Sequence, residues 1–258
     1  MAEQTDRASG PLVSIIVRTK DRPALLRQAL DSIVAQSYRP IEVVVVNDGG
    51  EDASALLPTN HGLDLRYIDL GHNYGRAGAA NRGVASASGQ LIGFLDDDDL
   101  YFPDAIAALV REMNAREVVY GNVVLRHYEV DGTERTDIPE RHFARPYSQE
   151  QLWVENYIPF NALLFRRNCF GAAGPFREDL PLCEDWEFLL RLSDRTAFHY
   201  VDHEVAIYRD FGSSTVTGSR FNPQEMEAAM DKVMSERWAK VTPRVIRTHR
   251  TLISGHYR

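Results

Sequence analysis

Four consecutive aspartates, Asp96 to Asp99, follow an apolar stretch and are the residues of this sequence best suited to chemistry. Carboxylates placed side by side repel one another and raise one another's pKa unless a cation lies among them. Proteins usually hold Mg²⁺ or Mn²⁺ through one or two carboxylates together with phosphate oxygens of a substrate. We therefore expect the aspartates to hold a divalent metal that in turn holds a diphosphate. A solvated acidic loop is the alternative.

The elements that must position these aspartates alternate between strands and helices. Val13–Val17 and Ile41–Asn47 are continuous β-branched runs, typical of strands covered on both faces. Between them, the segment that begins near Pro23 has apolar residues at helical spacing. The pattern repeats with a predicted strand at 63–70, a small-residue helix at 76–88 and a buried strand at 90–95. The alternation predicts an α/β fold with a mostly parallel sheet and helices on both faces.

Polar residues concentrate where these predicted strands end. The segments "RTKDR" (18–22), "NDGG" (47–50) and the four aspartates each follow a strand. In open α/β sheets, ligands bind outside the carboxyl ends of the strands. The first half therefore resembles a nucleotide-binding domain, although "NDGG" taken alone also suits a simple turn.

The second half, from Glu117 onward, is more mixed. We expect two strands around the turn 131–133 and a short helix capped by Ser148. Near the end, an amphipathic segment at 223–238 precedes a stretch without Asp or Glu whose basic residues are Arg237, Lys240, Arg244, Arg247, Arg250 and Arg258. This basic stretch suits contact with anionic lipid headgroups, or equally a solvated basic helix.

Composition excludes several classes of protein. The 258 residues are 44% hydrophobic, enough for a sizeable core, and the formal net charge of -8 argues against a nucleic-acid partner. The two cysteines, Cys169 and Cys183, form no C-x-x-C pair, so neither a disulfide framework nor a thiolate zinc site is expected. The first ten residues lack an apolar signal core, and no apolar run approaches the length of a bilayer span. We expect a cytoplasmic protein.

Four segments, at 13–54, 73–106, 181–192 and 205–215, resemble in order those of the family 2 glycosyltransferases with the GT-A fold. The resemblance spans about Pro11 to Ser219. It implies a Rossmann-like, mostly parallel sheet flanked by helices, with a smaller mixed region on the acceptor side. It also implies four regions, which are a flexible tail (1–10), a nucleotide-sugar half (11–116), a half for the acceptor and catalytic base (117–220), and a basic helical extension (221–258).

The same resemblance assigns roles in donor binding. Asp48 matches a residue that accepts a hydrogen bond from the base ring, and Thr19 lies in the loop that packs against that ring. Asp98 matches the ligand of an Mn²⁺ or Mg²⁺ ion that bridges the diphosphate. The remaining expected nucleotide contacts are Arg76 and Asn81, in a segment that closes over the nucleotide, and Asp96 and Asp97, at the ribose.

Later segments match the acceptor side. In "CEDW", Asp185 matches the general base, with Glu184 and Trp186 flanking the acceptor; an N-cap of the following helix is another role for Asp185. Arg209 matches a residue within reach of the diphosphate, or it pairs with Asp210.

The activity implied is an inverting, metal-dependent transfer from a nucleoside-diphosphate sugar, expected to be a UDP-sugar, to a saccharide or lipid-linked acceptor. Surface polysaccharide assembly and a peripheral position at the inner face of a membrane are the setting that the resemblance suggests.

Three positions depart from the family pattern. Lys20 stands where a tyrosine is common, Ala80 where an arginine is common, and Phe211 where a histidine is common. A noncatalytic sugar-nucleotide binding module therefore stays open as an alternative, as does another nucleotide-dependent transferase. A nucleotidyltransferase normally needs a glycine-rich phosphate loop after the first strand, and a dehydrogenase needs G-x-G-x-x-G there; "RTKDR" provides neither.

Overall fold

The computed structural model describes residues 10–59, 62–129, 132–212 and 223–237. Its first half alternates strands and helices as predicted. The small-residue helix expected at 76–88 spans residues 75–86. The elements are β1 (Val13–Thr19), α1 (Pro23–Val34), β2 (Ile41–Asn47), β3 (Asp64–Asp69), α2 (Gly75–Ser86) and β4 (Leu91–Asp96).

Both faces of β1, β2 and β4 are buried, whereas β3, at the edge of the sheet, is partly exposed. Successive residues of β1, such as Ile15 and Ile16, belong to two separate apolar clusters, one on each side of the sheet. This explains why the strands are continuous apolar runs, since a side chain pointing either way enters a core. Pro23 begins α1, where a missing N–H costs no hydrogen bond.

The second half adds further strands to the same sheet. Its elements are β5 (Leu100–Tyr101), α3 (Ala105–Met113), β6 (Val118–His127), β7 (Arg141–Phe143), α4 (Gln149–Leu152), β8 (Leu163–Arg166), α5 (Arg167–Ala173), α6 (Glu184–Ser193), β9 (His199–Asp210) and α7 (Pro223–Ser235). Within the described residues the strand order is β3-β2-β1-β4-β8-β6-β9-β5, and β7 pairs with β6. β1, β2, β3 and β4 run parallel to one another, whereas β8 runs antiparallel to both β4 and β6. The sheet thus continues across the boundary that the sequence suggested at 116/117.

One strand prediction in this half is wrong. β6 forms as expected, but the chain after the 131–133 turn makes only an isolated bridge, between Tyr128 and Glu134. β6 pairs instead with β7, β8 and β9. The short helix is confirmed as α4, and the Ser148 hydroxyl accepts a hydrogen bond from the Gln151 N–H at 3.2 Å.

The C-terminal expectation is corrected in part. Met226, Ala229 and Met230 of α7 contact the apolar cluster that also contains α6, so this face of α7 is not free to enter a membrane. Arg237 is buried and pairs with Asp194 at 2.6 Å, which removes it from the proposed lipid-binding set. The remaining basic residues, after 237, lie outside the described residues. Across the part of the chain that the structure describes, no helix has the length and apolar character needed to cross a bilayer.

Candidate active site

A cleft of about 970 Å³ lies at the carboxyl ends of β1, β2 and β4. Asp48 and Asp96 to Asp98 line it, together with the basic side chains of Lys20, Arg22 and Arg76. Its volume is at the upper end of the range for small-molecule sites, enough for a ligand as large as a sugar nucleotide. The topological rule applied to the sequence therefore located the cleft correctly.

Each of the first three aspartates has a partner from the β1 strand or the loop after it. Arg18 lies opposite Asp96 in the β1–β4 register, and its Nη2 is 2.5 Å from Asp96 Oδ1. The Thr19 hydroxyl donates to Asp97 Oδ2 at 2.7 Å. Arg22 Nη1 lies between two carboxylates, 3.1 Å from Asp97 Oδ1 and 2.9 Å from Asp98 Oδ2.

These partners do not neutralise the cluster completely. Burial raises the pKa of Asp97 to about 7, with a further contribution from the charge of Asp98, against the opposing effect of Arg22. Burial and the charge of Asp96 likewise raise the pKa of Asp98. For Asp96, partial burial acts in the same direction, but Arg18 outweighs it and the pKa is lowered. A cation added beside Asp97 and Asp98 would therefore stabilise their ionised forms.

The residues present fit a divalent metal. The Asp98 side chain is 19% exposed and lines the cleft, and its raised pKa reflects a carboxylate that an added cation would stabilise. Among the described residues, no group of three or more His, Cys, Asp or Glu side chains forms a metal cage. A site of this kind suits a cation that takes the rest of its ligands from water and a diphosphate, as Mg²⁺ commonly does.

Asp99 is the one of the four aspartates for which the expected metal contact is wrong. It is buried, and it accepts hydrogen bonds from the Asn161 amide at 2.7 Å and from the Arg209 backbone N–H at 3.1 Å. Asp99 therefore fixes the aspartate loop to β9 rather than lining the cleft.

Arg209 is also buried beneath this loop. Its Nε donates a hydrogen bond to the Asp98 backbone carbonyl, which holds the aspartate loop against β9, and its Nη1 donates to Gln28 Oε1. The side chain is not paired with Asp210. The expected Arg209–Asp210 pair is therefore wrong. The Arg209 Nη2 atom is buried without a hydrogen-bond partner among the described residues, and Arg209 still lines the cleft.

Asp48, at the end of β2, and Arg76, on α2, also line the cleft. Asp48 is buried, and its Oδ1 accepts a hydrogen bond from the Tyr74 backbone N–H at 2.7 Å, which ties the end of β2 to the start of α2. Arg76, in the first turn of α2, has its guanidinium 2.7 Å from Glu184 Oε2. The segment expected to close over the nucleotide contributes residues 73–77 and 79 to the lining of the cleft, and its contact with a nucleotide stays a prediction.

Asp185 lies in the first turn of α6, one residue after Glu184. The cap position is Cys183, whose backbone is left-handed with φ of 61°, so the expectation that Asp185 caps this helix is wrong. Asp185 Oδ1 accepts a hydrogen bond from the Trp186 N–H at 2.7 Å, and its Oδ2 accepts one from the Asn156 amide at 3.2 Å. The negative charge of Asp185 also helps to raise the pKa of Arg76, which lines the cleft.

Three other sequence expectations are corrected, two by burial and one by the contacts of the side chain. Trp186 is 0% exposed and donates its indole N–H to the Leu152 carbonyl at 2.7 Å, so it packs in the core and forms no wall for an acceptor. Glu184 is 1% exposed and likewise cannot flank an acceptor. The Asn81 amide bonds to the backbone of Phe176, and Asn81 is not among the residues that line the cleft.

Phe211 occupies the position where the family pattern has a histidine. It lines the cleft, but it is largely buried and its ring contacts that of Tyr128, with 5.8 Å between centroids. The position therefore contributes an apolar ring and no metal ligand.

Arg18, Asn156 and Asn161 were missed by the sequence reasoning. Each is the partner of an acidic residue far away in the chain, for example Asn156 with Asp185. No local pattern marks such a residue, although a charged residue such as Arg18 inside an otherwise apolar strand is a usable signal.

Comparisons with known proteins agree with this geometry. The profile of Glycosyl transferase family 2 matches residues 14–170. The uncharacterized glycosyltransferase YwdF of Bacillus subtilis is 31% identical over 180 residues, covering 69% of this chain and 67% of YwdF. A PGL/p-HBAD biosynthesis glycosyltransferase of Mycobacterium bovis is 29% identical over 267 residues, covering 97% of this chain and 99% of that protein.

Among solved structures, S. aureus TarS 1-349 in complex with UDP-GlcNAc matches with a TM-score of 0.65 at 17% identity. The match covers 86% of this chain and 65% of the TarS chain, and it confirms the expected GT-A fold. Because the family profile covers more than half of this chain and YwdF is similar over most of its own length, the chain belongs to Glycosyl transferase family 2.

Proposed function

We propose that this protein is an inverting, metal-dependent transferase that moves a sugar from a UDP-sugar to a hydroxyl group of a saccharide or lipid-linked acceptor. The observation that carries the proposal is the cleft, where carboxylates at the ends of β2 and β4 face basic side chains. Asp185 lies outside the lining, on α6, next to the Glu184 that pairs with Arg76 of the cleft wall. The UDP-GlcNAc held by TarS supports a uridine diphosphate donor.

Donor binding is proposed to follow the strand ends across the cleft. Asp48 accepts a hydrogen bond from the base while Thr19 packs against it, and Asp96 and Asp97 bind the ribose. Arg76 is the basic side chain of α2 proposed to reach the diphosphate, because it lies on the cleft wall with 46% of its side chain exposed. Arg209 contributes indirectly by supporting the backbone of the aspartate loop.

Asp98 is proposed to hold the metal, either Mn²⁺ or Mg²⁺. A bound divalent ion supplies positive charge that stabilises the diphosphate as it leaves. Arg22 stabilises the Asp97 and Asp98 carboxylates from the protein side, since its guanidinium contacts both.

Asp185 is proposed to act as the general base. The acceptor oxygen attacks the anomeric carbon, the bond from that carbon to the diphosphate oxygen breaks, and its electron pair leaves on the UDP. Asp185 takes the hydroxyl proton, and the hydrogen bonds from Trp186 and Asn156 hold its carboxylate in place. A single displacement inverts the anomeric carbon, so a UDP-α-sugar gives a β-linked product.

The acceptor is proposed only as a class. The mycobacterial relatives are named for PGL/p-HBAD biosynthesis, which supports a role in a biosynthetic pathway, and we propose surface polysaccharide assembly as that pathway. The basic residues after Arg237 are the segment proposed to approach anionic lipid at the inner face of a membrane.

The test is isothermal titration of UDP, GDP and TDP, each with and without Mn²⁺, on wild type and Asp98→Ala. We expect Mn²⁺-dependent binding of UDP that is lost in the variant, followed by UDP release from UDP-GlcNAc, UDP-glucose or UDP-galactose. No binding of any nucleotide would refute the donor site. Binding without turnover of any donor, with or without an added saccharide, would favour the noncatalytic module.

A further inference from the structure

A chain of charged side chains connects the aspartate loop to helix α6. It begins at Arg18, whose side chain is 12% exposed and whose Nη2 lies 2.5 Å from Asp96 Oδ1 at the end of the neighbouring strand. The other terminal nitrogen of Arg18, Nη1, is 3.4 Å from Glu184 Oε1. One guanidinium therefore contacts a carboxylate from β4 and a carboxylate from α6.

Glu184 is held from two sides. While Oε1 faces Arg18, its Oε2 lies 2.7 Å from Arg76 Nη2 on α2. Burial and the charge of Asp185 raise the pKa of Glu184, and the two arginines oppose this effect. The next residue in the chain is Asp185, so whatever fixes Glu184 also fixes the first turn of α6 from which Asp185 projects.

Fold stability alone is a poor explanation for this arrangement. Removing charges from water is costly, and apolar residues of similar volume often stabilise a core as well or better. An ion network does provide directional contacts that set distances between elements. Of the two carboxylates that begin α6, the buried one is committed to Arg18 and Arg76, while Asp185 keeps a more exposed position.

We propose that Arg18 and Glu184 are positioning residues that fix Asp185 relative to the donor-binding ends of β1 and β4. The inference rests on the proposed function, in which Asp96 contacts the donor and Asp185 takes the acceptor proton. Because Arg18 is bonded to Asp96 on one side and to Glu184 on the other, the distance between the donor and the base is set through a single rigid guanidinium.

This role predicts a loss of rate without a loss of donor affinity. A shift of about 1 Å between reacting groups can cost about 10²-fold in rate. Glu184 makes its described contacts with arginines and is buried, so the Glu184→Gln change leaves the Arg18–Asp96 pair in place while removing the charge that orients α6.

The experiment compares Glu184→Gln with Glu187→Gln as a matched control. Glu187 is also buried in α6, but it pairs with Arg191 on the same helix at 2.8 Å, and none of its described contacts reaches Arg18. We measure the UDP Kd with Mn²⁺ by titration, kcat and KM for hydrolysis of UDP-GlcNAc, UDP-glucose and UDP-galactose, and the thermal midpoint. Glu184→Gln should lower kcat about 10- to 100-fold with the UDP Kd within about twofold of wild type, whereas Glu187→Gln should keep kcat.

A second variant, Arg18→Lys, tests the same bridge if Glu184→Gln does not fold. In Arg18→Lys, the ammonium pairs with one carboxylate at a time, so kcat should again fall, and the double variant with Glu184→Gln should lose no more than the worse single variant. Unchanged kcat in both folded single variants would overturn the inference, and so would a parallel loss of kcat and UDP affinity in Glu184→Gln. Wild type that neither binds UDP nor releases it from any donor would instead refute the proposed function, and the catalytic role of this bridge with it.

Discussion

At the scale of single residues, Asp185 has the hydrogen bonds expected of a fixed base. Its two oxygens accept one bond each, from the Trp186 N–H and the Asn156 amide, and each keeps a lone pair. The Asp185→Asn change keeps the size of the side chain but removes its ability to take a proton. We expect kcat to fall about 10²- to 10⁴-fold.

The measurement for Asp185→Asn is UDP release under saturating donor, alongside titration of UDP with Mn²⁺. The UDP Kd should stay near the wild-type value, because Asp185 lies outside the residues that line the cleft. Retention of more than about a third of wild-type kcat would mean that another group takes the proton.

The two cysteines provide a pH-dependent prediction at the same scale. Burial raises the pKa of Cys183 to about 12, with contributions from Asp185 and Glu184, and burial together with Glu117 raises that of Cys169 to about 12. Only the thiolate reacts, so a raised pKa means slower modification at pH 8. We expect native protein to react with Ellman's reagent about 10³-fold more slowly than protein in guanidinium, with the native rate rising about tenfold per pH unit. Fast native labelling at pH 8 would contradict the burial of these thiols.

At the scale of elements, Glu42 joins three parts of the first half. Its carboxylate on β2 accepts hydrogen bonds from the Ser14 hydroxyl on β1 and, at 2.7 Å each, from the N–H and hydroxyl of Ser88 before β4. Burial alone would raise the pKa of Glu42, but these hydrogen bonds outweigh it, and the pKa is lowered from its ordinary value of 4.5. The carboxylate therefore adds stability that is present above pH 4.5 and lost as the pH falls through the lowered value.

We expect Glu42→Gln to lower the free energy of unfolding by about 1–3 kcal/mol at pH 7, because the amide cannot accept the same set of bonds. Urea unfolding at pH 7 and at pH 3.5 checks the sign. The difference from wild type should shrink at the lower pH, because the unfolded chain is protonated below pH 4.5 and part of the stabilisation by the carboxylate is then lost. The exposed Glu51→Gln is the control and should be nearly neutral at both pH values. A difference that grows on acidification would refute the assignment.

Helix α2 packs unusually close to the sheet at Gly83. A Cβ there would lie 2.5 Å from Ile16 Cγ2 and 3.2 Å from Val46 Cγ2, whereas a Cβ at Gly171 of α5 would meet nothing within 4 Å. Alanine has a higher helix propensity than glycine, so Gly171→Ala should raise the free energy of unfolding by about 0.5–1 kcal/mol. Gly83→Ala should instead destabilise by about 1–3 kcal/mol because the core is overpacked. Denaturant midpoints for both variants test this, and stabilisation by Gly83→Ala would show that α2 can move off the sheet.

The elements that the sequence predicts well are those whose signal is local. The valine run of β2 and the apolar spacing after Pro23 placed both elements where they are found. The failed strand after 131–133 depended on which segment pairs with β6, and that choice is made by β7 and β9 from later in the chain. Pairing partners of this kind cannot be read from local periodicity.

The site divides in the same way. The carboxylates at the strand ends could be located, because parallel strands bring their carboxyl ends to one edge of the sheet. Their partners could not, since Arg18 and Asp96 are 78 positions apart and Arg18 and Glu184 are 166 apart. The burial of Trp186 was likewise invisible, because α4 and the core that cover it come from other parts of the chain.

At the scale of the whole molecule, the cleft depends on both halves of the chain. Its floor comes from the ends of β1, β2 and β4, while Leu180 and Pro181 before α6 and Tyr208 on β9 complete its walls. The sheet itself passes from β4 to β8 and β6 without a break, and Asn161 reaches back to bond Asp99. The proposed donor half and acceptor half are therefore joined by backbone hydrogen bonds as well as by side chains.

This continuity predicts that the two halves unfold together. All three tryptophans follow residue 116, so tryptophan fluorescence reports on the second half, while far-UV circular dichroism reports on the strands and helices of both. Urea unfolding curves from the two probes should coincide, as expected for one cooperative unit. A fragment of residues 1–116 should fail to fold cooperatively, because β4 would lose β8 and become an exposed apolar edge. Two separated transitions, or a stably folded fragment, would instead establish 116/117 as a true domain boundary and would mean that the cleft lies between two bodies able to fold independently.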